Sequence, residues 1–74
     1  MKAYIVTIGD EILIGSTLDS NSHAIAQQLT QSGFTVTGMA TVSDTKKGIL
    51  DGLGTGLKHA DIVLMTGGLG PTRD

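Results

Sequence analysis

The sequence predicts an α/β fold, ordered β-α-β-α-β, which is about half of a doubly wound domain. Three observations carry this reading. Apolar runs suited to strands covered on both faces stand at residues 3–8 and 61–68. Between them the hydrophobic period switches from strand to helix and back. The connections are short, which favours a parallel sheet with right-handed crossovers.

The first strand, AYIVTI (3–8), is rich in β-branched residues and ends at Gly9-Asp10. In DSNSHAIAQQLTQSG (19–33), Ser22, Ile25, Ala26 and Leu29 share one helical face, and the glutamines lie largely outside it. Gly33 supplies the helix stop. Asp19 or Ser20 is the expected N-cap, because either side-chain oxygen can accept an orphan backbone N–H. FTVTGMATV (34–42) alternates, with Phe34, Val36, Gly38, Ala40 and Val42 on one face. That pattern is a half-buried strand, nearer an edge than the first. Asp44 is the N-cap candidate for a second helix, whose apolar stripe is Ile49, Leu50, Leu53 and Leu57. DIVLMTGG (61–68) is the third strand. Met39 and Met65 read as packing residues, and His23 and His59 as surface residues.

One element conflicts with its own pattern. The second helix contains Gly48, Gly52, Gly54 and Gly56. Each glycine costs roughly 1 kcal/mol relative to alanine in a helix interior. Either this helix is short and frayed, or packing rescues it. The run GLGTG within it imitates a dinucleotide fingerprint but lacks the preceding strand and a correctly spaced third glycine.

Composition narrows the function. At 74 residues the chain is one small domain at most. A chain of this size buries only about 60% of its unfolded surface, so its stability is marginal. It has no cysteine, which excludes disulfides and thiolate metal sites and fits a reducing cytoplasm. No paired histidine spacing suggests zinc. The net charge is −2 and the five basic residues are scattered, so nucleic acid is discounted as a partner. Tyr4 and Phe34 are the only aromatic residues, too few for a base-stacking platform. No apolar stretch approaches the ~20 residues of a membrane span. The N-terminus lacks the long apolar region and cleavage site of a signal peptide. The expected location is the cytoplasm, with no membrane partner.

Parallel strands share a carboxyl edge, where open α/β sheets bind ligands. The segments leaving the three strands are GDEILIG (9–15), SDT (43–45) and GGLGPTRD (67–74), and DSNS (19–22) opens the first helix. Gly67, Gly68 and Gly70 permit close backbone approach, and their successive N–H groups suit an anion. A helix beginning beyond Pro71 adds positive potential for a phosphate. The alternative reading is a tight strand-to-helix turn with no ligand. Asp10, Glu11, Asp44 and Asp74 are hard oxygen donors suited to Mg²⁺ beside a polyphosphate. Each has a plainer role open to it: Asp44 as a cap, Asp10 as a turn residue, Glu11 as a solvated charge. Asn21 is either a ligand contact or a secondary cap.

IGDEILIG, DSNS, TVSD and VLMTGGLGPTRD, in this order and spacing, resemble the MoaB/Mog-like molybdopterin-binding domain family. The resemblance spans essentially the whole chain and is greatest to the N-terminal domain of the CinA (competence/damage-inducible) branch. It implies a three-layer α/β/α sandwich of about twice this length, with central strand order 2-1-3. It also implies that GDE and GGLG lie side by side at the switch point. By this resemblance the ligand set is Gly9, Asp10, Glu11, Ser20, Asn21, Thr66, Gly67, Gly68, Gly70, Pro71 and Thr72. Asp10, Asp44 and Asp74 are the metal set, and Asp44 and Asp74 the catalytic candidates.

The implied activity is metal-dependent hydrolysis of nucleotide pyrophosphates such as ADP-ribose, with Mg²⁺ or Co²⁺ as cofactor. Two alternatives stand beside it: a non-catalytic module for molybdopterin or a nucleotide, linked to molybdenum cofactor biosynthesis, and an inactive truncated remnant. The family pattern continues G-P-T-x-D-D-x-T, and here only Asp74 of its two aspartates is present. The chain is therefore expected to be the N-terminal part of a single domain, truncated after the third strand. Missing outer strands leave open sheet edges, and exposed helix faces favour homo-oligomers. The isolated chain is expected to be oligomeric or poorly folded. Sedimentation and thermal melting check this, and a monodisperse monomer with one cooperative transition would contradict it.

Overall fold

The computed structural model describes residues 1–10 and 20–67. The elements are β1 (Lys2–Ile8), α1 (Ser20–Gln31), β2 (Thr35–Val42), α2 (Lys46–His59) and β3 (Ile62–Gly67). The three strands form a parallel sheet in the order β2-β1-β3, which is the expected 2-1-3 arrangement. β1 is the centre of the core, with Ala3, Ile5 and Val6 fully buried. Burying side chains such as Ile5 and Val6 stabilises the fold by about 1.5–3 kcal/mol each.

The helices lie on opposite faces. Gly52 and Gly56 of α2 meet Tyr4 and Val6 of β1, together with Val42 and Val63. Ser22 of α1 hydrogen-bonds Thr7 of β1. Successive strand residues point to opposite faces, so the even-numbered side chains of β1 face α2 and the odd-numbered ones α1.

The end of α1 follows from its sequence. Gly33 has φ +95°, its N–H donates to the Thr30 carbonyl, and Phe34 N–H donates to the Leu29 carbonyl. This paired closure is the Schellman arrangement, which only a left-handed residue at this position completes cheaply. Gln27, Gln28 and Gln31 are exposed, and Ser22 is buried, as the periodicity implies.

The structure corrects three readings. The cap of α2 is Thr45, not Asp44: Thr45 is extended, and its Oγ1 accepts Gly48 N–H at 3.0 Å. Only half of the apolar stripe of α2 turns inward: Ile49 and Leu53 are half-buried, Leu50 and Leu57 are 54% and 56% exposed, and the fully buried residues are Gly52 and Gly56. Met39 is also exposed rather than packed. The glycines explain the second correction. Gly48, Gly52 and Gly56 recur every four residues and so share one helix face. A Cβ at Gly56 would lie 2.7 Å from Val63 Cγ2, and one at Gly52 would lie 3.0 Å from both Val6 and Val42. The helix backbone therefore lies directly on the sheet's valines, and α2 runs unbroken for 14 residues. The GLGTG run is interior helix.

Tyr4 uses the same economy of side chains. A Cβ at Gly38 would lie 2.6 Å from Tyr4 Cε1, so only glycine leaves room for the ring across β2. The register of β1 and β2 shifts between Ala3 and Tyr4, which brings Gly38 opposite Tyr4. The His59 ring stacks on Tyr4 with centroids 5.9 Å apart. The amino-terminal sheet edge is closed by local bonds: Lys2 N–H donates to Asp61 Oδ2, Asp61 N–H to the Lys2 carbonyl, and Thr35 N–H to the Met1 carbonyl, each at 3.0 Å.

Glycine-to-alanine substitutions in α2 are expected to diverge in sign. Nothing lies within 4 Å of a Cβ at Gly54, so Gly54→Ala gains helix propensity, about 0.5–1 kcal/mol. Gly56→Ala overpacks against Val63 and is expected to lose about 1–2 kcal/mol. Denaturant unfolding of the two variants measures both; a stabilised Gly56→Ala would contradict the packing described.

Candidate functional site

The carboxyl ends of β1, β2 and β3 lie together, so the segments that leave them share one edge. Gly9, buried just beyond β1, donates its N–H to the Val42 carbonyl at the end of β2, at 3.1 Å. Asp10 follows and is exposed, and its Oδ1 accepts the backbone N–H of Asp44 at 3.3 Å. One acid-bearing segment is thereby joined to the other by a carboxylate. Both acids face solvent at the rim of the sheet, where a ligand can reach them.

The end of β3 is brought equally close. Gly67 pairs with Ile8 and has φ +110°. A Cβ there would lie 2.1 Å from the Ile8 carbonyl oxygen. Both the dihedral and the contact exclude every other residue. Gly67 thus has a structural reason to be glycine: it lets the end of β3 lie against the backbone of Ile8 in β1.

Beyond β2, Ser43 Oγ and Thr45 Oγ1 are 3.1 Å apart, and Thr45 N–H donates to the Ser43 carbonyl. The first turn of α2 contains Lys46 and Lys47 and no acid, so two ammonium groups stand at the positive end of the helix dipole. Lys47 pairs with Asp51 at 2.9 Å on the exposed surface. The hydrogen bond and the charge of Asp51 raise the Lys47 pKa above its ordinary value. Lys46 and the Ser43–Thr45 hydroxyl pair were not among the expected site residues. The signal for them is their position, immediately after a strand that ends in Asp44.

Gly9, Asp10, Asp44, Thr66 and Gly67 are therefore brought to one edge. Ser20 and Asn21 form the start of α1. The expected roles of Glu11, Asp19, Gly68, Gly70, Pro71, Thr72 and Asp74 lie outside the described residues. Among the described residues no three His, Cys, Asp or Glu side chains cluster as a metal site. The Asp10 carboxylate lies at the Asp44 backbone, and one or two carboxylates suffice for Mg²⁺, which completes its shell with phosphate oxygens and water. A hollow of 320 Å³ along α1, lined by His23, Ala26, Gln27, Thr30 and Gln31, contains neither acid nor glycine turn. Among the described residues no helix is long and apolar enough to cross a membrane.

Known proteins are similar to this chain in sequence and arrangement. The CinA-like protein of Flavobacterium psychrophilum is 50% identical over 74 residues, covering all of this chain and 18% of that protein. A putative competence-damage inducible protein of Clostridioides difficile is 43% identical over the same length, again 18% of its own. The chain thus spans under a fifth of the length of these curated relatives. The crystal structure of the protein CinA from Thermoplasma acidophilum superimposes with a TM-score of 0.89 at 37% identity, over 96% of this chain and 42% of that one. The sequence model of the family described as "probable molybdopterin binding domain" matches residues 4–74, and the chain belongs to that family.

Proposed function

We propose that the carboxyl edge of this sheet binds a nucleotide or pterin phosphate together with a divalent cation, and that the complete domain hydrolyses nucleotide pyrophosphates such as ADP-ribose. One observation carries the reading: the Asp10 carboxylate is hydrogen-bonded to the Asp44 backbone at a switch point that also holds Gly67. Two acids suited to a cation and a glycine suited to a phosphate stand at the edge where α/β sheets take their ligands, which supports the reading.

In this reading Asp10 and Asp44, joined by Asp74, hold Mg²⁺ or Co²⁺. When bound, the cation neutralises diphosphate charge and lowers the pKa of coordinated water. Gly67, Gly68 and Gly70 supply backbone N–H groups to the phosphates, with Thr66, Pro71 and Thr72 in the same segment. Gly9, Glu11, Ser20 and Asn21 complete the rim. Hydrolysis adds water across the P–O–P bridge: the water oxygen bonds to one phosphorus, the bridging oxygen leaves with the other, and a proton is released. ADP-ribose then gives AMP and ribose 5-phosphate.

A second reading is favoured by the family description itself: the edge holds molybdopterin or a nucleotide without turning it over. One experiment separates the two. Residues 1–74 replace the matching segment of the Flavobacterium psychrophilum CinA-like protein, half identical over that span. The chimera is incubated with ADP-ribose and Mg²⁺ or Co²⁺. Hydrolysis is expected to release AMP, and Asp44→Ala to slow that release at least tenfold. Release at background level, equal in the chimera and in Asp44→Ala, would overturn the enzymatic reading. Saturable, metal-independent binding without product would support the second.

A further inference from the structure

The face of the sheet that meets α1 changes character at a single level. In one row Ile5 is flanked by Met39 and Leu64. Two residues on, Thr7 is flanked in register by Thr41 and Thr66. All three strands thus change from apolar side chains to threonine at the last full row that this face presents before the ligand edge. The pattern is present in the sequence as Thr7-Ile8-Gly9-Asp10 and Thr41-Val42-Ser43-Asp44, two strand ends with the same T-x-x-D order. On the other face the neighbouring row is Val6, Ala40 and Met65, all apolar.

The middle of this threonine row is the most enclosed polar position described. Thr7 is 2% exposed and Ser22 is 3% exposed, and their hydroxyls hydrogen-bond each other. The bond joins the central strand to the first turn of α1, one residue beyond Asn21. Elsewhere α1 meets the sheet through half-buried Ile25, Ala26 and Leu29. Apolar contacts of that kind tolerate sliding, because they are non-directional. A buried hydroxyl pair does not, since it has one good geometry and loses its partner when either element shifts.

We infer that Thr7 and Ser22 are positioning residues, a clasp that sets the first turn of α1, with Ser20 and Asn21, at a fixed height on the ligand edge. The inference rests on the reading of that edge as a ligand site. Its own content is geometric: the hydroxyl of Thr7, not its bulk, fixes where the helix begins. The two properties separate in two substitutions. Thr7→Val keeps shape and β-branching but loses the hydroxyl. Thr7→Ser keeps the hydroxyl and loses a methyl group.

The test uses the chimera that carries residues 1–74 in the Flavobacterium psychrophilum CinA-like protein. Amide hydrogen exchange is followed at Ser22 and His23, and the affinity for ADP-ribose with Mg²⁺ is measured by calorimetry. Thr7→Ser is expected to match the wild type in both readouts. Thr7→Val is expected to speed exchange in the first turn of α1 at least tenfold and to weaken ADP-ribose at least fivefold. Ser22→Ala removes the same bond from the helix side and is expected to reproduce the Thr7→Val result. If Thr7→Val behaves as wild type while Thr7→Ser does not, position 7 is a packing site and the clasp is wrong. If Thr7→Val speeds exchange and leaves affinity unchanged, the clasp is structural only and its link to the ligand edge is overturned. If the wild type binds no ADP-ribose, the functional reading fails for that ligand, and the exchange data alone decide whether the clasp exists.

Discussion

Every part of this structure depends on β1 being paired along its length on both sides. Its backbone is bonded to β2 from Lys2 to Ile8 and to β3 from Ala3 to Ile8. Fully buried Ile5 and Val6 occupy opposite faces of the same strand. That double pairing is what the order β2-β1-β3 means physically. It requires the chain to step to one side of β1 and then cross to the other. Right-handed crossovers in opposite directions place α1 and α2 on opposite faces. The same reversal makes the carboxyl ends of β1 and β3 the switch point, where open α/β sheets take their ligands.

Close approach is the recurring device. Gly67 lets the end of β3 press against the Ile8 carbonyl. Gly52 and Gly56 let α2 lie on the valines of the sheet. A helix with so many glycines is poor in isolation, and its cost in propensity is offset by backbone-to-side-chain packing that larger residues would prevent. Leu50 and Leu57, which are exposed, then have no role in holding α2 to the sheet. What fixes the helix at its start is Thr45, whose hydroxyl satisfies Gly48 N–H and leaves the Asp44 backbone to be bound by Asp10.

The order and type of every described element were legible in the sequence, because periodicity reports burial directly. So was the meeting of the GDE and SDT segments, since parallel strands leave no other place for them. The facing of α2 was not legible. Gly48, Gly52 and Gly56 stood at helical spacing, yet an apolar stripe of leucines competed with them, and only the distance between helix and sheet decides which face wins. The Asp44 cap failed for a local reason: Asp and Thr are adjacent, both cap well, and the extended backbone fell at Thr45. The Thr7–Ser22 clasp required strand register, which no single stretch of sequence contains. Gly67 was read as a phosphate residue, and its strand contact adds a second demand on the same position.

Gly9, Asp10, Asp44 and Gly67 therefore share an edge with residues that the family resemblance did not single out, Ser43, Thr45 and Lys46 among them. The central claim is that this edge, and no other part of the chain, is where a phosphate ligand binds. Amide chemical-shift mapping of residues 1–74 within the ¹⁵N-labelled chimera during titration with ADP-ribose and Mg²⁺ tests it most directly. The account predicts shifts concentrated at Gly9, Asp10, Asp44, Thr45, Thr66 and Gly67. Shifts concentrated instead at Lys2, Thr35 and Asp61 on the opposite edge, or no shifts at saturating ligand, would contradict it.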